Sequence, residues 1–156
     1  MIYLIDQSGK IEKTNKDTVI GVANSKTFSI RLSGKIKRQL QEKCRANHQG
    51  QQFIYRTFAA LVFLLIKGHL KIMTDLIIDN EYPGKEKIIR EILLEFLRKF
   101  NLPEPHISFG QIGNHPRVHY VAYNVFIGKH KADKEVKLKD IESLVVKNKK
   151  DRGLKG

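Results

Sequence analysis

Two aspartates occupy matching places in the chain. Asp6 closes the short apolar run Ile-Tyr-Leu-Ile at residues 2–5, and Asp79 closes Leu76-Ile77-Ile78. If the two runs are neighbouring strands, both carboxylates leave the same edge of a sheet. Paired carboxylates repel unless a cation neutralises them, and Mg2+ or Mn2+ prefers such oxygen ligands. A centre of that kind activates water and stabilises the leaving oxygen of a phosphodiester. Taken singly, each residue has a plainer use: Gln7-Ser8-Gly9 is a turn signal after Asp6, and Asp79 ends a strand.

A third element is the run Gly113-Asn114-His115-Pro116-Arg117-Val118-His119-Tyr120-Val121-Ala122. His115 and His119 are four apart, which places them on one helical face if both lie within the helix. Pro116 suits a first turn and would leave His115 at the helix mouth. Histidine binds metal, carries protons or contacts phosphate, and is also an ordinary surface residue. Lys85, Arg117, Lys129, His130 and Lys131 are candidates for phosphate contacts, which position nucleic acid without reading its sequence. Tyr82 and Tyr120 are candidates for stacking on bases, with packing at element ends as the alternative. Gly84 and Gly113 would permit close backbone approach.

The background to these residues is strongly basic. The 156-residue chain carries 29 Lys+Arg against 16 Asp+Glu, a formal net charge of +13, which favours a polyanionic partner. With 41% hydrophobic and 29% charged residues it has a globular composition, and its length suits one domain. A single cysteine, Cys44, forms no internal disulfide and no cysteine-rich zinc site, which fits a reducing, cytoplasmic setting. The longest apolar run, Phe58–Ile66, has nine residues, well short of the ~20 of a membrane helix. Nucleic acid is therefore favoured over membrane as the partner.

Periodicity supplies the elements that must position the candidates. Residues 2–5, Thr18–Ala23 and Thr27–Leu32 read as three strands of an antiparallel meander, the third alternating Phe28, Ile30 and Leu32 with polar neighbours. Ser33 caps a helix through Lys35, Ile36, Leu40 and Lys43, interrupted near Asn47–Gln51. Phe53–Leu70 reads as a helix, apolar nearly all round between Phe58 and Ile66 and hence buried. Lys71–Asp79 reads as a strand, Glu86–Phe100 as a helix ended by Pro103 and Pro105, Ile107–Ile112 as a strand and Arg117–Ile127 as a helix. Val136–Val146 reads as a strand plus a short helix. Residues 1–146 form one domain on this reading, with 147–156, five basic residues and one acid, as a basic tail. The fold class is α/β, a mixed five-stranded sheet with helices on it.

The order of these elements resembles the ribonuclease H-like superfamily, which includes the RuvC-type Holliday-junction resolvases. Asp6 in Ile-Asp-Gln-Ser-Gly matches the first-strand aspartate, and Asp79 in Ile-Ile-Asp-Asn-Glu-Tyr the fourth-strand acid. His119, three residues before Ala122, matches the last-helix acid, where histidine departs from the common aspartate. The resemblance implies a ribonuclease H-like domain with Mg2+ or Mn2+ held by Asp6, Asp79 and His119. For the fourth acid, Glu81 ranks first by proximity, with Glu86 and Glu42 as alternatives; the helix dipole alone also favours an acid at Glu86.

Two functions follow as expectations. The first is a metal-dependent nuclease hydrolysing DNA or RNA through Asp6, Asp79, Glu81 and His119, with Lys85, Arg117, Lys129 and Lys131 on the backbone. The second is a nucleic-acid-binding module of the same fold with a degraded site. A third, weaker reading is a structural protein whose basicity serves no specific partner. A resolvase would need a homodimer to match junction symmetry, and Phe53–Leu70 is either the core of one chain or part of such a dimer face. The nuclease reading requires Asp6, Asp79 and His119 to meet around one point.

Overall fold

A computed structural model describes residues 2–112 and 115–147. Strands β1 (Ile2–Ser8), β2 (Thr18–Ala23), β3 (Thr27–Leu32), β4 (Asp75–Asp79), β5 (His106–Gly110) and β6 (Lys134–Glu135) form one mixed sheet in the order β5-β4-β1-β2-β3-β6. The first three strands are an antiparallel meander, while β4 runs parallel to β1, β5 parallel to β4 and β6 parallel to β3. The sheet thus has six strands rather than five. The additional one lies just before the strand expected at the start of Val136–Val146, and pairs only Lys134 with Ile30 and Glu135 with Arg31.

Helices α1 (Gly34–Ala46), α2 (Phe53–Ile66), α3 (Glu86–Lys99), α4 (Pro116–Phe126) and α5 (Leu138–Val145) complete the fold. Ser33 caps α1, its Oγ accepting the Ile36 N–H at 3.2 Å. The helix α2 packs against β2 and β3 beneath it and α3 and α5 beside it, so nearly all of it is buried and its apolar circumference is used within the chain, not as a dimer face. It ends at Ile66 rather than Leu70, where the His69 N–H bonds back to the Ile66 carbonyl. Residues 71–74 are turn and coil, so β4 starts only at Asp75.

The opposite face carries α4, packed across β1, β2 and β3. Alternation along the two central parallel strands assigns side chains to these faces. Tyr3 and Ile5 of β1, with Leu76 and Ile78 of β4, enter the large core, whereas Leu4 and Ile77 join Val118 and Val121 under α4. Asp6 and Asp79, two residues beyond Leu4 and Ile77, therefore belong to the α4 face.

Gly21 lets α4 come this close. It lies opposite Asp6 in the β1–β2 register, and a Cβ there would stand 2.9 Å from Val121 Cγ1 and 3.0 Å from the Ala122 nitrogen. Gly84 has another role than the expected close approach: nothing lies within 4 Å of its Cβ position, and its φ of +85° makes a turn. Gly113, Asn114 and residues 148–156 lie outside the described residues. Lys147 is tied to the fold, its N–H donating to Gln49 Oε1 at 3.0 Å and its carbonyl accepting from Gln49 Nε2 at 2.8 Å.

Among the described residues, no helix is long and apolar enough to cross a membrane. Cys44 is a buried free thiol, pushed up to about 11 by burial and hence unreactive.

Candidate metal centre

Asp6 does not end its strand. The β1 ladder continues through Gln7 opposite Ile20 and Ser8 opposite Val19, which holds the Asp6 backbone on both sides. The parallel register of β1 and β4 pairs Ile5 with Ile78, so Asp6 and Asp79 stand one step further at the same level. Asp79 is oriented by the Ile112 N–H, which donates to its Oδ1 at 2.8 Å. That bond links the end of β4 to the segment after β5.

Glu81 arrives by a turn rather than by strand continuation. The Asn80 N–H still bonds the Gly110 carbonyl of β5 at 3.0 Å, and the Glu81 N–H then folds back onto the Asp79 carbonyl at 2.9 Å. One oxygen from each of Asp6, Asp79 and Glu81 lies within 4.8 Å of the others. The other candidates for the fourth acid are elsewhere. Glu86 accepts from the Gly84 N–H at the start of α3, and Glu42 is exposed on α1.

The turn after Glu81 is anchored through Tyr82. Its ring packs against Tyr55 and Phe58, and its hydroxyl accepts from Gln7 Nε2 at 3.1 Å and the Ile11 N–H at 3.2 Å. Tyr82 is therefore buried and unable to stack on a base. The 9–17 loop that contains Ile11 is held in turn by Lys37, fully buried on α1. Its ammonium donates to the carbonyls of Lys10 and Lys13 and to Thr18 Oγ1, at 2.8–3.1 Å. Burial pulls Lys37 down to about 8, against the charges of Asp17 and Glu12.

Electrostatics mark the triad as short of positive charge. Burial, then a hydrogen bond with Asp79 and the charges of Asp79 and Asp6, pushes Glu81 up to about 8, with Lys10 opposing. Gathered this closely, the carboxylates disfavour the charged form of Glu81, a penalty that a bound cation would relieve. Burial also raises Asp6, followed by the charge of Asp79, while the Gln7 N–H and His119 act the other way. Three convergent carboxyl groups form an oxygen donor set suited to Mg2+ or Mn2+ rather than to a soft metal.

His119 borders the triad, its Nδ1 3.5 Å from Asp6 Oδ2. The compact carboxylate cluster is Asp6, Asp79 and Glu81, with His119 on the Asp6 side. His115 is the N-cap residue of α4, with Pro116 first in the helix. The His119 ring stacks on Tyr123 (centroids 5.4 Å, planes 15° apart) and meets the edge of Tyr120 at 5.2 Å.

The expected phosphate contacts divide. Arg117 is tied to the β2–β3 hairpin, donating to the Asn24 and Ser25 carbonyls, and with His130 and Lys131 it lines a groove beside α4. Lys129 adjoins that groove, since the N–H groups of Lys129 and His130 both donate to the Asn124 carbonyl. Lys85 instead covers the Tyr55 ring at 5.6 Å and lines a separate groove with α2 and α3 residues. Two residues at the site escaped the sequence reading. Tyr123 was detectable from its i+4 spacing to His119, whereas Lys10, in a turn, had no signal.

Comparison of the chain with models of known protein families, with curated proteins and with solved structures found no match.

Proposed function

We propose that this chain is a Mg2+- or Mn2+-dependent nuclease of ribonuclease H-like fold that hydrolyses phosphodiester bonds in DNA or RNA. The observation that carries the reading is the convergence of Asp6, Asp79 and Glu81 within 4.8 Å in a chain of net charge +13. A basic protein that merely grips phosphate gains nothing from three acids gathered at one point; a metal explains them. The ribonuclease H-like assignment is supported by the strand order β3-β2-β1-β4-β5 and by α4 crossing the face where the acids emerge, with β6 as an addition.

Asp6, Asp79 and Glu81 would hold the ion. When bound, Mg2+ or Mn2+ supplies polarisation of the phosphodiester and a water that ionises near neutral pH. Asp6 orients the His119 imidazole through Nδ1, which leaves Nε2 to carry a proton to or from the reacting oxygens. Arg117, Lys129 and Lys131 supply backbone contacts beside α4.

The test is cleavage of end-labelled single-stranded, duplex, hybrid and branched substrates with Mg2+ or Mn2+, and with EDTA as control. Metal-dependent products from at least one substrate are expected. A second reading, a binding module with a degraded site, is favoured by histidine at the position of the last-helix acid. Tight, salt-sensitive binding without cleavage in any metal would establish that reading instead.

A further inference from the structure

The outer face of α4 carries aromatic rings that packing does not account for. The helix buries Val118, Ala122 and Val125 against the sheet, yet Tyr120 and Tyr123 on its other side are 52% and 39% exposed. Their rings contact each other at 6.5 Å and both contact His119, so the three form one cluster that starts at Asp6 and runs outward along the helix. Tyr120 also forms a wall of the groove of about 440 Å³ in which Arg117, Asn124, His130 and Lys131 lie, with Asp133 held to the Ser29 N–H at 2.8 Å. The Asn124 carbonyl, by accepting from the Lys129 and His130 N–H groups, turns this basic segment back along α4.

Exposed ring faces bordered by cations match one ligand chemistry. A duplex keeps its base faces stacked internally and presents phosphates and base edges, so it gains nothing from a tyrosine face. An unpaired base has its π-face free, and its backbone phosphates pair with the neighbouring cations. We propose that Tyr120 and Tyr123 form a stacking platform for unpaired bases, and that the groove beside them holds the backbone of a single-stranded polynucleotide. This goes beyond the nuclease reading, and the binding itself does not depend on cleavage.

The test is fluorescence anisotropy of the full chain in EDTA, with labelled oligothymidylate, oligouridylate and a duplex of equal length at one salt concentration. Either single strand should bind at least about tenfold tighter than the duplex, and the tighter of the two identifies DNA or RNA as the ligand. Tyr120→Ala and Tyr123→Ala should each weaken single-strand binding by about five- to one-hundred-fold, the range for losing one stacked base. Tyr120→Phe should retain binding. The chain contains no tryptophan, so quenching of Tyr120→Trp emission by the single strand reads stacking directly. Equal affinity for duplex and single strand, or alanine variants that bind single strands normally, would overturn the platform. Metal-dependent cleavage is scored separately: cleavage with tyrosine-independent binding defeats the platform alone, and tyrosine-dependent binding without cleavage defeats the nuclease reading alone.

Discussion

Asp6 and Asp79 leave adjacent parallel strands at the same level, one step past the Ile5–Ile78 pair, and on the face covered by α4. Strand register alone therefore brings two carboxylates together, before any loop contributes. The turn at Glu81 adds a third, and α4 brings His119 to the edge of the group.

The raised Glu81 sets a pH dependence of stability. Between its ordinary value of 4.5 and about 8, the folded chain binds more protons at this site than the unfolded chain does. The site's contribution therefore declines as pH rises through that window, and Asp6, shifted the same way, adds to the decline. Thermal melts in EDTA should show this slope, and Glu81→Gln should flatten it. Mn2+ should stabilise wild type more near pH 8 than near pH 5, because it competes with the proton on Glu81. Identical slopes for wild type and Glu81→Gln would contradict the assignment.

Gly21 should be intolerant of a side chain. The nearest atoms to its Cβ position belong to α4, at 2.9–3.3 Å, so Gly21→Ala must displace the helix or distort the sheet. A cost of about 1–3 kcal/mol in urea unfolding is expected, as for overpacking elsewhere. The His119 imidazole signals should shift in the NMR spectrum, since α4 positions that ring over Asp6. Wild-type stability with unchanged His119 signals would show that α4 does not depend on this contact.

Lys37 should be a structural clamp. Lys37→Met leaves the Lys10 and Lys13 carbonyls and Thr18 Oγ1 without their shared donor. The two carbonyls keep their turn bonds to the Lys13 and Lys16 N–H groups, so a loss of about 1–3 kcal/mol is expected. Lys35→Met, exposed two residues earlier on α1, should change stability by less than about 0.5 kcal/mol. Equal effects of the two substitutions in urea unfolding would refute the clamp.

His119 is expected to carry a proton rather than to hold the metal. His119→Ala should lower the cleavage rate by about 10²–10⁴-fold and alter the pH–rate profile, with Mn2+ affinity within a fewfold of wild type. A loss of Mn2+ affinity as large as that of Asp79→Asn would make His119 a ligand instead.

Much of this arrangement is legible in the sequence because it depends on local pattern. Asp6 and Asp79 each follow an apolar run, and Phe58–Ile66 is apolar around its circumference as a buried helix is. What is not legible depends on partners distant in the chain. Lys37 looks like a solvated helix residue, since the acceptors that bury it are loop carbonyls with no side-chain signature. Glu81 reaches the triad through one backbone turn bond to Asp79, which no spacing rule encodes. Tyr82 and Tyr120 offer the same candidate ring in the sequence, and only tertiary packing makes one an anchor and leaves the other exposed.

The central claim is that the carboxylate triad cuts phosphodiesters with a bound metal, and Asp79→Asn tests it most directly. The substitution keeps the size of the side chain, removes its negative charge and leaves the basic groove beside α4 untouched. Single-turnover cleavage in Mn2+, measured with saturating enzyme on the substrate that wild type cuts best, should fall by at least about a hundredfold, equivalent to about 2.7 kcal/mol of transition-state stabilisation. Binding of the same substrate in EDTA should stay within about threefold. A variant that cuts at the wild-type rate would show that the triad is not the catalytic centre.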